Sequence, residues 1–164
     1  MCLYNPEKLE TDGKDITVYK VLHAGRNEET PEYRSPYFMY MNSSRWEIGA
    51  TNHAERLKYN EYAEDSPVKT ILDVSGNEER IISDNAFHSF ADLWDAVKEL
   101  KFLTGQEYPS HYVIGEFIIT HATAYAYIGK TAVNYEDENT RIRVKMADSY
   151  ASESLRLVRI IPEK

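Results

Sequence analysis

One segment of the sequence, residues 85–100 (NAFHSFADLWDAVKEL), has the periodicity of an amphipathic α-helix. Its apolar side chains recur every three or four residues, and charged side chains fill most of the positions between them. Ser89 is followed three residues later by Asp92, which is the spacing of a capping box, and Gly105 is a natural stop signal. The pattern therefore predicts one helix over about residues 89–104, with Ser89 as its N-cap.

Strand-like segments lie on both sides of this helix. They are rich in β-branched and aromatic residues and are separated by turn residues, at 16–23, 67–74, 79–83, 111–121, 123–129, 141–147 and 154–161. We also expect a short strand or two ending at Gly49, and a weak helix or an ordered loop over 51–65. The order of strands, one helix and further strands is typical of the α+β class, with a largely antiparallel sheet on which the helix packs. We expect a single domain over 1–164, irregular at 1–15 and 24–36.

The charge of the chain restricts its partners. The formal net charge is −8 at pH 7, which disfavours direct binding to nucleic acid or anionic membranes because these carry the same sign. No apolar run approaches the roughly 20 residues of a membrane span, and the N-terminal segment lacks the pattern of a signal peptide. These features predict a soluble, cytoplasmic protein. The 13 tyrosines suit half-buried sheets, ligand grooves and interfaces alike.

Cysteine and histidine positions bear on catalysis and metal binding. Cys2 follows Met1 directly, which is the starting arrangement of N-terminal nucleophile hydrolases; the alternative is a small apolar residue near a terminus. None of the five histidines has the paired short spacing that places two ligands on one face of a helix or across a turn. The sequence therefore predicts no metal site and gives no reason to expect a cofactor.

Two groups of polar side chains are candidates for ligand binding. His88 and Ser89 lie where a strand gives way to the predicted helix, whose free N–H groups and dipole favour an anion. Arg141, Arg143 and Lys145 share one face of a predicted strand, and this basic row could hold a phosphate or a carboxylate. The alternatives are a purely capping role for Ser89, and a solvated row paired with acidic residues from the preceding segment NYEDENT.

A succession of short blocks from residue 16 to the C-terminus resembles that of a group of small, mostly uncharacterised phage and bacterial proteins. The blocks are ITVYKVL, SPY, RWEIG, AFHSFADLWDAV, VIGEFIIT and SYASESLRLVRII. In that group a YKVL strand precedes a W/YxxG segment, an FHSF or FHAF block that opens a helix, and a late strand. The resemblance implies an accessory gene product carried by phage or mobile elements.

The order of elements is also similar to that of the ADP-ribosyltransferase fold. That fold has a first strand with a nicotinamide-site residue, a Phe-x-Ser strand leading into a helix, and a late strand with a catalytic glutamate. The similarity implies that Lys20 stands at the basic position, Ser89 in the serine strand and Glu153 near the acidic position. The implied activity is that of an enzyme acting on a nicotinamide dinucleotide.

Three functional hypotheses result. The first is a small non-enzymatic module that binds a protein or a small anionic ligand through His88, Ser89, Arg141, Arg143 and Lys145. The second is the enzyme with Lys20, Ser89 and Glu153 as its catalytic residues. The third is an acidic inhibitor that uses YEDENT and NEYAED to occupy a nucleic-acid site on a host protein. The tyrosine content, the basic row and the lack of a catalytic constellation favour the first hypothesis.

Overall fold

The computed structural model describes residues 3–24, 32–35, 45–54, 68–82, 86–105 and 111–162. In these ranges the chain has the predicted α+β class, with twelve strands and one helix, α1 (Leu93–Thr104). The strands are β1 (Leu3–Lys8), β2 (Ile16–Ala24), β3 (Tyr33–Arg34), β4 (Arg45–Trp46), β5 (Thr51–His53), β6 (Lys69–Leu72), β7 (Glu78–Ile82), β8 (Phe87–Phe90), β9 (Tyr112–Ile119), β10 (Ala126–Glu136), β11 (Ile142–Ser152) and β12 (Ser154–Ile161).

The described strands form one sheet, and their pairings are antiparallel. The strand order is β5-β12-β9-β2-β8-β11-β10-β1-β7-β6, with β3 paired to β2 and to β4. Long ladders join β2 to β9 and β10 to β11, whereas β2 meets β8 through one bridge, between Tyr19 and Phe90. The sheet therefore consists of two strongly paired halves that meet at the short strand β8.

Helix α1 begins later than the sequence predicts. Asp92 is its N-cap, with an extended backbone and a side-chain oxygen that accepts a 2.8 Å hydrogen bond from the N–H of Trp94. The prediction of Ser89 as the N-cap is wrong, because residues 87–90 pair with β11 and belong to β8. The C-terminal prediction is confirmed, since the helix ends at Thr104 with Gly105 as its C-cap.

The N-terminal segment contains a strand that the sequence analysis did not predict. β1 pairs with both β10 and β7, which contradicts irregular structure over 1–15. The register of β1 against β10 shifts between Tyr4 and Glu7. Asn5 has a φ of 52° at this point, and Pro6 has no N–H to contribute to a ladder. A bulge accommodates such residues inside a sheet.

The other predicted strands are confirmed with altered ends, and β10 and β11 extend to Glu136 and Ser152. β3 and the last residue of β2 contradict irregular structure throughout 24–36. Residues 51–53 form β5 rather than part of a helix. The expected strand before Gly49 is represented by β4. Cys2 and residues 25–31, 36–44 and 55–67, on which other predictions fall, lie outside the described residues.

Apolar side chains cover both faces of the central sheet. On one face, Ala96 and Leu103 of α1 pack against a cluster from five strands: Val21, Phe90, Ile114, Val133 and Ala147. On the opposite face a second cluster includes Val18, Leu22, Trp46, Phe117, Leu155 and Leu157. Full burial of one such large side chain stabilises the fold by about 1.5–3 kcal/mol. The helix is thus fixed on the sheet, with its first turn beside β11.

Candidate functional site

A cavity of about 610 Å³ lies between the start of α1 and the central sheet. It is lined by Tyr19 of β2, residues 91–95 at the start of α1, Lys130 of β10 and residues 145–148 of β11. The cavity exists at this place because the chain leaves the sheet after β8 to enter α1. The part of β11 before Ser149 therefore extends beyond the end of β8. Its lining combines two aromatic side chains, Tyr19 and Trp94, with both acidic and basic groups.

Two lysine and aspartate pairs occupy the polar part of this lining. Lys145 Nζ donates a 2.8 Å hydrogen bond to Oδ1 of Asp95, whose side chain is buried. This hydrogen bond, together with the charge of Asp95, raises the pKa of Lys145 above its usual value. Lys130 donates to Asp148 at the surface. Both cations of the cavity therefore already have a carboxylate partner.

An exposed apolar row borders the cavity. Ile142, Val144 and Met146 alternate along β11 and are 68%, 63% and 47% exposed. Trp94, at the rim of the cavity, is 71% exposed. Lys145 and Ala147 of β11 contact α1. Because the side chains of a strand alternate between the two faces of a sheet, the even-numbered row lies on the face opposite α1. Together with the cavity, these four side chains form what we call the β11 surface.

The same part of β11 has one edge along which no described strand pairs. β10 pairs with β11 along its whole length, but on the other side β8 reaches only residues 149–152. A hydrogen bond from the N–H of Ala91 to the carbonyl oxygen of Asp148 extends this contact by one position. Among the described residues, none pairs with residues 142–147 on that side, and residues 142–146 are all exposed.

Two side chains of the predicted basic row, those of Arg143 and Lys145, pair with acidic side chains. Arg143 Nε donates to Oδ2 of Asp137 at 2.9 Å, and this contact lowers the pKa of Asp137. The other carboxylate oxygen of Asp137 accepts from the backbone N–H of Arg141, which lies in the turn before β11. Arg143 thus follows the alternative weighed from the sequence, pairing with NYEDENT, whereas Lys145 pairs with the helix and lines the cavity.

The other predicted ligand-binding residues, His88 and Ser89, lie in β8 and are buried. Lys20 is also buried, and its Nζ donates a 3.0 Å hydrogen bond to the carbonyl oxygen of His88. Burial lowers the pKa of Lys20, while burial raises the pKa of nearby Glu99 on α1 to about 6. Ser89 Oγ has no hydrogen-bond partner among the described residues.

Glu153, the third residue of the enzyme hypothesis, is engaged elsewhere. Its carboxylate lies 2.8 Å from Nδ1 of His53 on β5. Its backbone N–H donates to the carbonyl oxygen of Tyr125, and its own carbonyl accepts from Ala54. The structure therefore brings Lys20 to the strand that carries Ser89, whereas no described hydrogen bond or ion pair joins Glu153 to either of them.

Trp94, Asp95 and the open edge are the parts of this surface that sequence reasoning missed. Trp94 lies between Leu93 of the apolar stripe and the charged Asp95, and this position at the border of the stripe was the available signal for its exposure. The apolar row of β11 was visible as the alternate residues of RIRVKMA. Asp95 was missed because its place in the sequence is that of a solvent-facing helix residue. The open edge was missed because the length over which β8 pairs with β11 depends on contacts between residues distant in the sequence.

No protein-family model matches the chain, nor does any curated protein or solved structure. In the described ranges, no group of three or more His, Cys, Asp or Glu side chains is arranged to hold a metal ion. The helix found in these ranges is too short to cross a membrane.

Proposed function

We propose that this chain is a non-enzymatic binding module that recognises another protein through the β11 surface. The observation that carries the proposal is the exposed apolar row of Ile142, Val144 and Met146, whose last member lines the same cavity as the exposed Trp94. Isolated apolar side chains are common on protein surfaces, but a contiguous apolar row beside a cavity is typical of an interaction site. Tryptophan and methionine are also enriched in protein interfaces.

The charges of the cavity favour a protein over a small anion as the partner. An anion would have to compete with Asp95 for Lys145 and with Asp148 for Lys130. Asp92 also lines the cavity and accepts the first N–H hydrogen bond of α1, so it already occupies part of the positive end of the helix. A partner that buries the apolar row meets no such competition, since it gains free energy mainly from the area removed from water.

The enzyme hypothesis remains a second candidate because Lys20 contacts the strand of Ser89. Against it, Glu153 is held by His53 at 2.8 Å, and Lys20 and Ser89 are buried. A purely binding role needs none of these groups to reach a substrate. We include in the first proposal the cytoplasmic setting and the phage or mobile-element accessory role that the resemblance of sequence blocks implied.

The proposal is tested by selecting binders from a library of displayed protein fragments on the wild-type chain. Binders are then measured against Trp94→Ala and Val144→Lys, two substitutions at exposed positions that leave the core intact. The matched control is Leu72→Lys, which changes an exposed apolar residue on β6. We expect binding to weaken at least about tenfold in the two β11-surface variants and not in the control, since truncating an interface hot spot costs about 2 kcal/mol or more.

A selection that returns only binders insensitive to both substitutions, or no binders, would contradict the proposal. A second measurement addresses the enzyme directly: thermal unfolding with nicotinamide dinucleotide and other nucleotides. A ligand at 100 times its dissociation constant adds about 2.7 kcal/mol to the stability. We expect no shift in the melting temperature, and a clear rise with the dinucleotide would favour the enzyme instead.

A further inference from the structure

We propose that the partner contributes an extended segment that adds to the open edge of β11 as a new strand. This inference rests on the proposed function and specifies the kind of partner. The new strand would run beside residues 142–146. It would occupy the same place in the strand order that β8 occupies beside residues 149–152. Its direction would be that of β8, antiparallel to β11, so that its N-terminal end lies at the cavity and Trp94.

The hydrogen bonds on the two sides of β11 show which backbone groups are free for this strand. The carbonyl of Asp148 points toward β8, because it accepts from the N–H of Ala91 at 3.0 Å. The carbonyl of Arg141 points toward β10, because it accepts from the N–H of Asp137 at 2.9 Å. Since both backbone groups of a strand residue face the same side and successive residues alternate, even-numbered residues face the open edge.

With respect to the described residues, the groups left free are therefore the N–H and C=O of Ile142, Val144 and Met146. The same three residues carry the exposed apolar side chains. Within the described part of the chain, no hydrogen bond is made to these backbone groups on the open side. An added strand would bond to all three residues, and it would place every second side chain of its own against the apolar row. This combination of backbone pairing and alternate side-chain contacts is how sheets bind extended peptides.

The charges on the other face of β11 indicate what the intervening residues of the segment should be. Arg141, Arg143 and Lys145 lie along this face. The side chain of Arg143 contacts Asp137 and that of Lys145 contacts Asp95, whereas Arg141 donates to Asp137 through its backbone N–H. Arg143 is about half exposed. A segment with apolar residues at alternate positions and an acidic residue opposite Arg143 would complement both faces. Asp137 contacts Arg143 through Nε, so the Nη groups of this half-exposed guanidinium can hold a second carboxylate.

A second copy of the chain is a poorer fit for the same edge. Antiparallel pairing of two copies about Val144 would place Arg143 of one copy opposite Lys145 of the other. Like charges opposite each other in a sheet are destabilising. Each copy also has a net charge of −8. These charges favour a separate partner, and they make the oligomeric state a part of the test.

The experiment uses peptides of about 12 residues, selected from a random displayed library on the full chain, with amide hydrogen exchange followed by NMR. In the free protein we expect the amides of Ile142, Val144 and Met146 to exchange at least about tenfold faster than those of Arg143 and Lys145, which face β10. Bound peptide should slow exchange at the three even-numbered positions by about tenfold or more, with little change at the odd-numbered ones.

Two variants separate backbone pairing from side-chain contact. Val144→Pro removes an N–H that faces the open edge and leaves the ladder with β10 in place, since proline is tolerated on such edges. It should abolish peptide binding while the melting temperature stays close to that of the wild type. Val144→Thr keeps the N–H and the branched shape, and it should bind within about fivefold of wild type. If Val144→Pro fails to fold, N-methylation of alternate peptide amides gives the same test from the peptide side.

The outcomes distinguish this inference from the proposed function. Peptides that depend on Trp94 but leave the amide exchange of even-numbered residues unchanged would overturn the added strand and keep the binding module. Peptides insensitive to Trp94→Ala and Val144→Pro, or a library without binders, would overturn both. A dimer in solution whose even-numbered amides are already protected would identify a second copy as the occupant, and would also overturn the inference.

Discussion

Lys20 Nζ lies 3.0 Å from the carbonyl oxygen of His88, and both residues are buried. The bond crosses from β2 to β8, which share one bridge, so a side chain strengthens the weakest contact between the two halves of the sheet. A buried ammonium group is costly unless its protons are bonded. The arrangement therefore gives Lys20 a structural role whatever partner the protein binds.

Lys20→Met should lower the free energy of unfolding by about 1–3 kcal/mol, because the carbonyl of His88 loses its side-chain donor in a buried setting. Denaturant unfolding at pH 7 measures the change. Lys14→Met, at an exposed position, is the matched control and should remain within about 0.5 kcal/mol of wild type. Equal effects of the two substitutions would show that the bond to His88 contributes nothing.

Glu99 should make the stability depend on pH between its unfolded and folded pKa values. Burial raises its pKa from 4.5 to about 6, which is partly opposed by the charge of Lys20. The folded state thus binds the proton more tightly, and the contribution of this group is greatest below pH 4.5 and is lost as the pH rises through 6. In unfolding curves from pH 4 to 7, wild type should lose about 1–2 kcal/mol relative to Glu99→Gln. A constant difference across this range would contradict the prediction.

Asp92 and Ser89 should respond in opposite ways to truncation. Asp92→Ala removes the side chain that caps α1 and should cost about 1 kcal/mol. Ser89→Ala removes a buried hydroxyl without a hydrogen-bond partner in the described ranges, so it should be neutral or stabilising. Thermal unfolding of both variants provides the comparison. A larger loss for Ser89→Ala than for Asp92→Ala would restore the original sequence-based assignment of the cap.

The pair of Lys145 and Asp95 should matter more than the pair of Lys130 and Asp148. Lys145→Met leaves the buried carboxylate of Asp95 without its cation, which should cost about 1–3 kcal/mol. Lys130→Met breaks a pair at the surface and should cost less than about 1 kcal/mol. The double substitution Asp95→Asn with Lys145→Met should recover part of the loss. Urea unfolding measures all of these variants, and equal losses for the two lysines would contradict the ranking.

Gly129 should be intolerant of any side chain. A Cβ added there would lie 2.6 Å from the carbonyl oxygen of Tyr4 and 2.9 Å from Cγ of Leu3. Gly129→Ala should therefore push β1 away from β10 and cost about 1–3 kcal/mol. Gly105→Ala is the control, because its nearest neighbours would be 3.5 Å away, and it should be within about 0.5 kcal/mol of wild type. The melting temperatures of the two variants measure the difference, and equal values would contradict the predicted clash at Gly129.

Local patterns in the sequence predicted most of the elements but not their partners. The alternation in RIRVKMA correctly separated the basic and apolar faces of β11, because that alternation is a property of any strand. β1 was missed because Asn5 and Pro6 interrupt its pattern, and these residues are accommodated by a bulge that exists only once β10 is beside it. The start of α1 was misplaced because Ser89 and Asp92 are both good caps, and the pairing of β8 with β11 decided between them.

The candidate site was less predictable for the same reason. Arg143 and Lys145 were identified as a basic row, but their neutralisation depends on Asp137 at close range and on Asp95 at a separation of 50 residues. Lys20 and Ser89 were assigned to the candidate enzyme site by the similarity to the ADP-ribosyltransferase fold. Their proximity results from the pairing of β2 with β8. The open edge of β11 depends on where β8 stops, which is a matter of long-range contacts.

The two tryptophans of the chain occupy contrasting surroundings. Trp46 packs edge-on against Phe87 and Phe117 and is 2% exposed, whereas Trp94 is 71% exposed at the rim of the cavity. Their fluorescence should therefore separate into a blue-shifted emission from the core and a red-shifted emission from the surface. A quencher dissolved in water should reduce the emission of Trp94 and leave that of Trp46 unchanged. The protein thus carries one built-in optical reporter of its folding and another of what covers its surface.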